Sequence, residues 1–248
     1  MATLEGKTVL VIGGSSGIGF AVAKAALLSQ AAHVIIASSS QQKVTAALRR
    51  LSTELATADV PVEGNISGEV VDARDSSSIR SLFAWVGEID HLVWTGGDPP
   101  RAGFPRLNLD EHNDAFDVRF WGAFTAAQVA RIRSGGSITL TIGGGIVRPR
   151  KGWSLMAGVA GAVDSLTRGL AVDLAPVRVN VVSPGLVNTT FWDSVLPDPD
   201  KIFDDTARSL LVQHVAEADE VAEAYLFLMK CGYITGQRIE VDGGARFV

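Results

Sequence analysis

One cysteine, two tyrosines and no surplus of positive charge mark this 248-residue sequence before any motif does. The single cysteine, Cys231, can form no internal disulfide, which excludes a disulfide scaffold and fits a reducing compartment. Lys and Arg number 22 against 27 Asp and Glu, a formal net charge of −5, and the basic residues are scattered along the chain. That distribution argues against a nucleic-acid-binding face. No uncharged apolar run approaches the ~18 residues that a membrane helix needs. The start, Met1 to Lys7, leads straight into an apolar strand without the basic flank and cleavage site of a signal peptide. The expectation is a cytoplasmic protein without a membrane partner, a nucleic-acid partner or a metal site.

What is there is a large hydrophobic fraction, 47%, with 20% charged residues, enough to bury one sizeable core. Short β-branched runs alternate with longer segments of helical period, the pattern of βαβ units. Strands are expected at Thr8–Ile12, His33–Ala37, Gly68–Val71, His91–Trp94, Gly136–Thr141, Val177–Val182 and Gln237–Val241. Helices are expected at 17–28, 41–55, 76–87, 109–133, 155–175 and 217–230, with a surface loop at 58–67. Together these predict an α/β fold: a Rossmann-type, doubly wound, seven-stranded parallel sheet forming a single domain over 1–248. The stretch 188–215, with Pro197, Pro199, Phe191, Trp192 and Phe203, is too long for a plain connector and reads as a lid.

Gly13-Gly14-Ser15-Ser16-Gly17-Ile18-Gly19 follows the first strand and opens the first helix. Glycines permit a tight turn and close backbone approach, and a helix N-terminus presents free N–H groups to a pyrophosphate. Strand, glycine loop and helix in that order are the context that makes a dinucleotide site credible. An NAD-binding protein would place an Asp or Glu about 20 residues further on, against the ribose 2′-hydroxyl. Here that place holds Ser38, Ser39 and Ser40, with Ser16 of the glycine loop and Lys43 expected nearby, which suit a 2′-phosphate and point to NADP(H). The other reading of the serines is that they open the helix at 41. Asp72 and Ala73, closing the third strand, are candidates for the adenine edge, with Asp72 alternatively a cap.

At this point the chain resembles the short-chain dehydrogenase/reductase family over nearly its whole length. The motifs that carry the resemblance, in order, are the glycine loop, Leu92-Val93-Trp94-Thr95-Gly96-Gly97, Arg178-Val179-Asn180-Val181-Val182-Ser183-Pro184-Gly185, Tyr233-Ile234-Thr235-Gly236-Gln237 and Val241-Asp242-Gly243-Gly244. The resemblance implies that Thr95, Gly96 and Gly97 line the cofactor's ribose and that Pro184, Gly185, Val187 and Thr189 reach its nicotinamide end. It also implies a homo-oligomer, dimer or tetramer, built on the helices expected at 109–133 and 155–175.

The family's acid chemistry rests on a Tyr four residues before a Lys, and neither Tyr225 nor Tyr233 has that partner. Matching Ala162–Arg168 to the family's helix places Met156 at the Tyr position, Ala160 at the Lys position and Gly143 at the Ser position; in Phe116–Gly122 the family's Asn is replaced by Arg119. All four positions have changed. A ketone accepting hydride then lacks a donor worth roughly 10²–10⁴-fold, whereas an iminium carbon accepts hydride and becomes a neutral amine without one. Arg119, a permanent five-donor cation, is suited to anchor a carbonyl or steady developing negative charge; its alternative is a structural pairing. Trp94, Trp121, Trp153, Phe191 and Trp192 are expected around the pocket as an aromatic box for a bulky, flat small molecule. Trp153 and Ser154 complete the catalytic candidates with Arg119, and Asp98, before Pro99-Pro100, is a minor polar one that reads more naturally as a turn residue.

With Arg-Phe-Trp-Gly and Gly-Gly-Ser-Ile-Thr-Leu in place of the usual tetrad segments, the chain is similar to a divergent branch of the family found in fungal secondary metabolism. That branch includes bifunctional reductase/Diels–Alderases of malbrancheamide- and paraherquamide-type indole alkaloid pathways. The resemblance implies NADPH reduction of an imine or iminium followed by an intramolecular [4+2] cycloaddition. Two other readings stay open: a carbonyl oxidoreductase in which Arg119 or water replaces the tyrosine, and a non-catalytic NADP(H)-binding protein.

Overall fold

The computed structural model describes residues 3–58, 61–193 and 195–248. Seven strands, β1 (Thr8–Ile12), β2 (His33–Ser38), β3 (Asn65–Val70), β4 (Glu88–Trp94), β5 (Arg131–Thr141), β6 (Arg178–Pro184) and β9 (Arg238–Val241), form one parallel sheet in the order β3-β2-β1-β4-β5-β6-β9. Two-residue strands β7 (Val187–Asn188) and β8 (Ala216–Glu217) pair separately. The helices are α1 (Gly17–Leu28), α2 (Gln41–Ala56), α3 (Ser76–Val86), α4 (Ala123–Val129), α5 (Ser154–Asp173), α6 (Pro199–Ser209) and α7 (Ala218–Lys230). The expected doubly wound sheet is therefore the observed one.

Alternation along the strands divides the core into two layers. Val9, Val11, Val34 and Ile36 face α1, α2 and α7, where Phe20, Leu27, Leu51 and Tyr225 are buried. Leu10, Ile12, Leu92 and Ile138 face the other way, onto Ile79 and Phe83 of α3, Ala123 and Ala126 of α4 and Val163 of α5. The strand order reverses beside β1 and β4, so their carboxyl ends diverge and leave a crevice there.

Several boundaries move. The expected helix 109–133 is three segments: 3₁₀ turns at Leu109–Phe116, broken at His112, a π-helical stretch at Asp117–Gly122, and α4. Its last residues belong to β5, which starts at Arg131 and absorbs a register shift between Ile89 and His91. β3 starts at Asn65, so Asn65 to Ser67 of the expected loop are strand; Asp59 and Val60 lie outside the described residues. The expected lid at 188–215 contains a 3₁₀ turn at Thr190–Trp192 and α6, with Ser194 outside the described residues, and its two ends are tied by the β7–β8 pair. Helix α5 meets the length and composition of a membrane span, yet it buries Asp164 in an ion pair with Arg168 and packs Val159 and Val163 into the core.

Two buried charges brace the sheet. Arg178 donates to the carbonyls of Leu228 (2.6 Å) and Met229 (3.0 Å), satisfying the free C-terminal carbonyls of α7. Asp90 accepts from the Thr8 amide, Lys7 and Arg133, which hold its carboxyl below the usual range although burial opposes them. Its neighbour His91, 2% exposed and bonded to Ser137 at 2.9 Å, is lowered from 6.5 to about 4, chiefly by burial and then by Arg178 and Lys7, against Asp90. An imidazole that resists protonation only in the folded state stabilises fully above 6.5, and that contribution is lost as pH falls toward 4. Unfolding free energy should therefore drop by ~2 kcal/mol from this group between pH 7.5 and 5. Denaturant titrations of wild type and His91→Gln at the two pH values check it: the variant's pH dependence should be shallower by that amount.

Candidate cofactor and substrate site

A cavity of about 550 Å³ opens at the carboxyl ends of the strands, where the crevice predicted by the strand order lies. Its floor is the β1–α1 turn. A Cβ on Gly13 would stand 2.7 Å from the Gly96 amide nitrogen, and one on Gly19 would stand 2.3 Å from the Gly13 carbonyl oxygen, so only glycine lets these backbones meet. Ser16, the N-cap of α1, makes no side-chain capping bond and the first turn carries no acid, which leaves the helix's leading N–H groups available. Ser15, Ser16, Gly17 and Ile18 line the same wall, and Thr189 stands over Gly17, 3.3 Å from where its Cβ would be. Thr95 donates to the Ile12 carbonyl at 3.0 Å, locking the β4 end onto β1. These backbone surfaces, free amides and absent side chains fit a dinucleotide pyrophosphate.

The serines divide. Ser38 and Ser39 line the cavity; Ser38 bonds Ser15 at 2.8 Å, and Lys43 donates to Ser39 at 3.2 Å. Ser40 does not line it: its side chain accepts from the Lys43 amide and caps α2, the helix-opening role weighed against it from sequence. Asp72 and Ala73 line the cavity, but Oδ1 of Asp72 accepts from the Arg74 amide at 2.9 Å, so that carboxylate first serves its own turn. Gly96, Gly97, Pro184, Gly185 and Val187 line the wall as well.

The four positions matched to the family's tetrad, Arg119, Gly143, Met156 and Ala160, all line this cavity. Among the lining residues there is no Tyr, His, Cys or Glu. The π-helical stretch Asp117–Gly122 widens the helix where Arg119 leaves it. The guanidinium lies flat on Gly97, where a Cβ would be 2.2 Å from its Cζ, and its one hydrogen bond, to the Asp98 carbonyl, is long at 3.5 Å. Burial lowers its pKa and Asp98 raises it; the group stays cationic with most of its donors unengaged. Thr141, which the sequence reading missed, also reaches the cavity; it donates to the Trp94 carbonyl and receives the Tyr225 hydroxyl, both at 2.7 Å. Burial pushes the Tyr225 phenol well above its usual range, and it is not at the cavity wall, so it supplies no acid there.

Three of the five residues of the expected aromatic box line the cavity. Trp153, Phe191 and Trp192 line the cavity, the last two stacked edge to face at 5.1 Å. Trp94 is a core residue, 1% exposed, with Gly122 pressed against its ring, and Trp121 points outward at 56% exposure. Ser154 is exposed as the first residue of α5 and does not line the cavity, which removes it from the catalytic candidates. Asp98, weighed from sequence as a turn residue, is a cavity residue ion-paired with Arg74.

Comparison with known proteins agrees with this geometry. The SDR-like rossmann domain profile matches residues 1–248. The chain is 36% identical to the short-chain dehydrogenase/reductase fsr5 of Gibberella fujikuroi, over 98% of this chain and 96% of that protein. The solved structure of MalC reductase/Diels-Alderase from Malbranchea aurantiaca superposes with a TM-score of 0.89 at 33% identity, covering 99% of this chain and 98% of that one. A small-chain dehydrogenase crystallised in complex with NADPH superposes at 0.78 with 30% identity, covering 98% and 100%. This chain belongs to the short-chain dehydrogenase/reductase family.

Proposed function

We propose that this protein is an NADP(H)-dependent oxidoreductase of secondary metabolism that reduces an imine or iminium in a bulky, partly aromatic substrate. The same cavity then holds the product for an intramolecular [4+2] cycloaddition. The observation that carries this reading is the coincidence of Arg119, Gly143, Met156 and Ala160 in one cavity that retains a dinucleotide cradle, is lined by no Tyr, His, Cys or Glu, and has its one lysine, Lys43, at the Ser38–Ser39 end. NADP(H) is supported by Ser38, Ser39 and Lys43 at the place where an acidic residue would repel a 2′-phosphate, and by the NADPH complex of a 30%-identical relative. When bound, the reduced nicotinamide supplies hydride.

The chain's own residues do the rest. Backbone N–H groups of Gly17 to Gly19 hold the pyrophosphate, and Pro184, Gly185, Val187 and Thr189 flank the nicotinamide. Arg119 anchors a carbonyl or amide oxygen of the substrate with its free donors, its charge moderated by Asp98. Trp153, Met156, Phe191 and Trp192 exclude water and hold the flat part of the substrate, and the 188–215 excursion acts as the lid. Holding two reacting ends together in this way supplies the near-attack geometry that a cycloaddition needs. The resemblance to MalC, named as a reductase/Diels-Alderase, supports both halves. Phe120, Trp121 and Phe124 form an aromatic cluster beside and on α4 that supports homo-oligomer formation.

Two measurements test the reading. Lys43→Gln should weaken NADPH binding roughly tenfold and leave NADH binding unchanged, followed by nicotinamide fluorescence; equal effects on both cofactors would remove Lys43 from the 2′-phosphate. Single-turnover oxidation of bound NADPH should proceed with cyclic iminium salts and fail with matched ketones, and Arg119→Met should lower kcat/KM about a hundredfold. Ketone turnover would favour the carbonyl reading, and tight binding without oxidation would favour a non-redox protein.

A further inference from the structure

Two side chains stand on the cavity wall next to Asp72 and Ala73, the residues read as the adenine edge, without belonging to the glycine cradle. Arg74 leaves the turn after β3 and Asp98 leaves the loop after β4; both line the cavity, and their side chains are joined by an ion pair. Each stands on a stiff platform. Arg74 is fixed by the Asp72 side chain, which accepts its amide, and by Asp75, which caps α3 through the Ser77 amide at 2.8 Å. Asp98 is followed by Pro99 and Pro100, whose rings restrict the backbone of the segment and remove its N–H donors. The pair therefore spans two crests that no β-ladder connects directly, since β2 and β1 separate β3 from β4 in the sheet.

We propose that Arg74 and Asp98 form a clasp over the adenosine half of the cofactor, which must open for NADP(H) to leave. The inference rests on the NADP(H) reading above. Arg74 keeps 46% of its side chain exposed, so water and salt can reach the pair and the clasp opens readily rather than sealing the site. Asp98 holds the Gly97–Pro100 ledge with its side chain while its carbonyl receives Arg119. Opening at the adenosine end and orientation at the substrate end thus share one residue.

The test is the dissociation rate of NADPH, followed by loss of its fluorescence when the complex is mixed with excess NADP⁺. Saturable binding to the wild type comes first; its absence would overturn the cofactor reading and the clasp together. Given binding, Arg74→Gln and Asp98→Asn should each speed release by about fivefold, the double variant no more than either single one, and Arg74→Lys should restore most of the wild-type rate. Raising salt speeds release from every form by screening Lys43 and the cofactor's phosphates, and it should do so more steeply in the wild type than in the variants, which have no clasp left to loosen. A simple field effect on an anionic ligand predicts the opposite: loss of the cation speeds release and loss of the anion slows it. Opposite directions in the two variants, or rates equal to wild type, would overturn the clasp and leave the cofactor reading standing. Thermal melting of each variant confirms that a folded protein is being compared.

Discussion

A Cβ on Gly19 would stand 2.3 Å from the Gly13 carbonyl oxygen and 2.4 Å from the Thr95 hydroxyl; one on Gly13 would press on the Gly96 backbone at 2.7 Å. Contacts this short leave no room for any side chain, so the β1–α1 turn and the end of β4 are held at backbone-to-backbone distance. The first turn of α1 is thereby aimed across the crevice with its amides free, and the wall Thr95–Gly97 is placed one strand away. The same constraint continues outward. The Arg119 guanidinium occupies the space a Gly97 side chain would need, and Trp94 occupies the space a Gly122 side chain would need. Removing bulk from the backbone at these points is what lets large groups, or a cofactor, lie directly against it.

Two arginines in this chain, Arg178 buried and Arg119 half-buried, differ in a way that separates structure from function. Arg178 meets the terminal carbonyls of α7 at 2.6 and 3.0 Å, a fixed set of acceptors within the fold. Arg119 has one acceptor at 3.5 Å and no carboxylate bonded to it. Arg119 is only half-buried, so water can meet the donors that protein groups leave free until an acceptor on a ligand replaces it. Its position, between the glycine cradle and the apolar wall of Met156 and Trp153, is where an acceptor on a substrate would meet them. A hydroxyl is also present in the region, on Thr141, but it already donates to the Trp94 carbonyl. The cavity therefore offers strong hydrogen-bond donation without ready proton donation, a combination matched to an acceptor that needs orientation more than it needs a proton.

The sheet and most helices were legible because period-2 and period-3.6 patterns and the glycine loop are local signals. The 109–133 region was not. Its composition is helical throughout, yet the kink at His112 and the widened turn at Asp117–Gly122 come from tertiary demands: placing Arg119 on Gly97 and fitting Trp94 beneath Gly122. Aromatic side chains carry the same ambiguity. Trp94 ends an apolar strand and packs inside, while Trp153 follows Arg150-Lys151-Gly152 and reaches the cavity, and residue type alone does not say which tryptophan meets a ligand. Ser40 and Ser154 looked like site residues because serines open helices and face ligands with equal ease; here they open helices. Arg74 left no sequence signal beyond its place after Asp72-Ala73, since an ion pair with a residue 24 positions away is a property of the fold.

The two ends of the cavity differ in how freely their residues can change. At the cofactor end the clashes are backbone against backbone, so a substitution at Gly13 or Gly19 must deform the sheet itself. At the other end a Cβ on Gly143 would meet nothing within 4 Å, and the Met156 and Ala160 side chains project into the same open volume. Gly143 lies past the end of β5 and Met156 and Ala160 lie on α5, so none of the three is part of a strand. A family fold can in this way lose every side chain of its usual acid chemistry and still hold a dinucleotide. The space those side chains leave, bounded by Trp153, Phe191 and Trp192, becomes room for a larger substrate. Loss of the tetrad side chains and gain of volume are then one structural change, and under the proposed reading the chemistry that suits it is the one that asks least of the protein: hydride acceptance at a carbon that already carries positive charge.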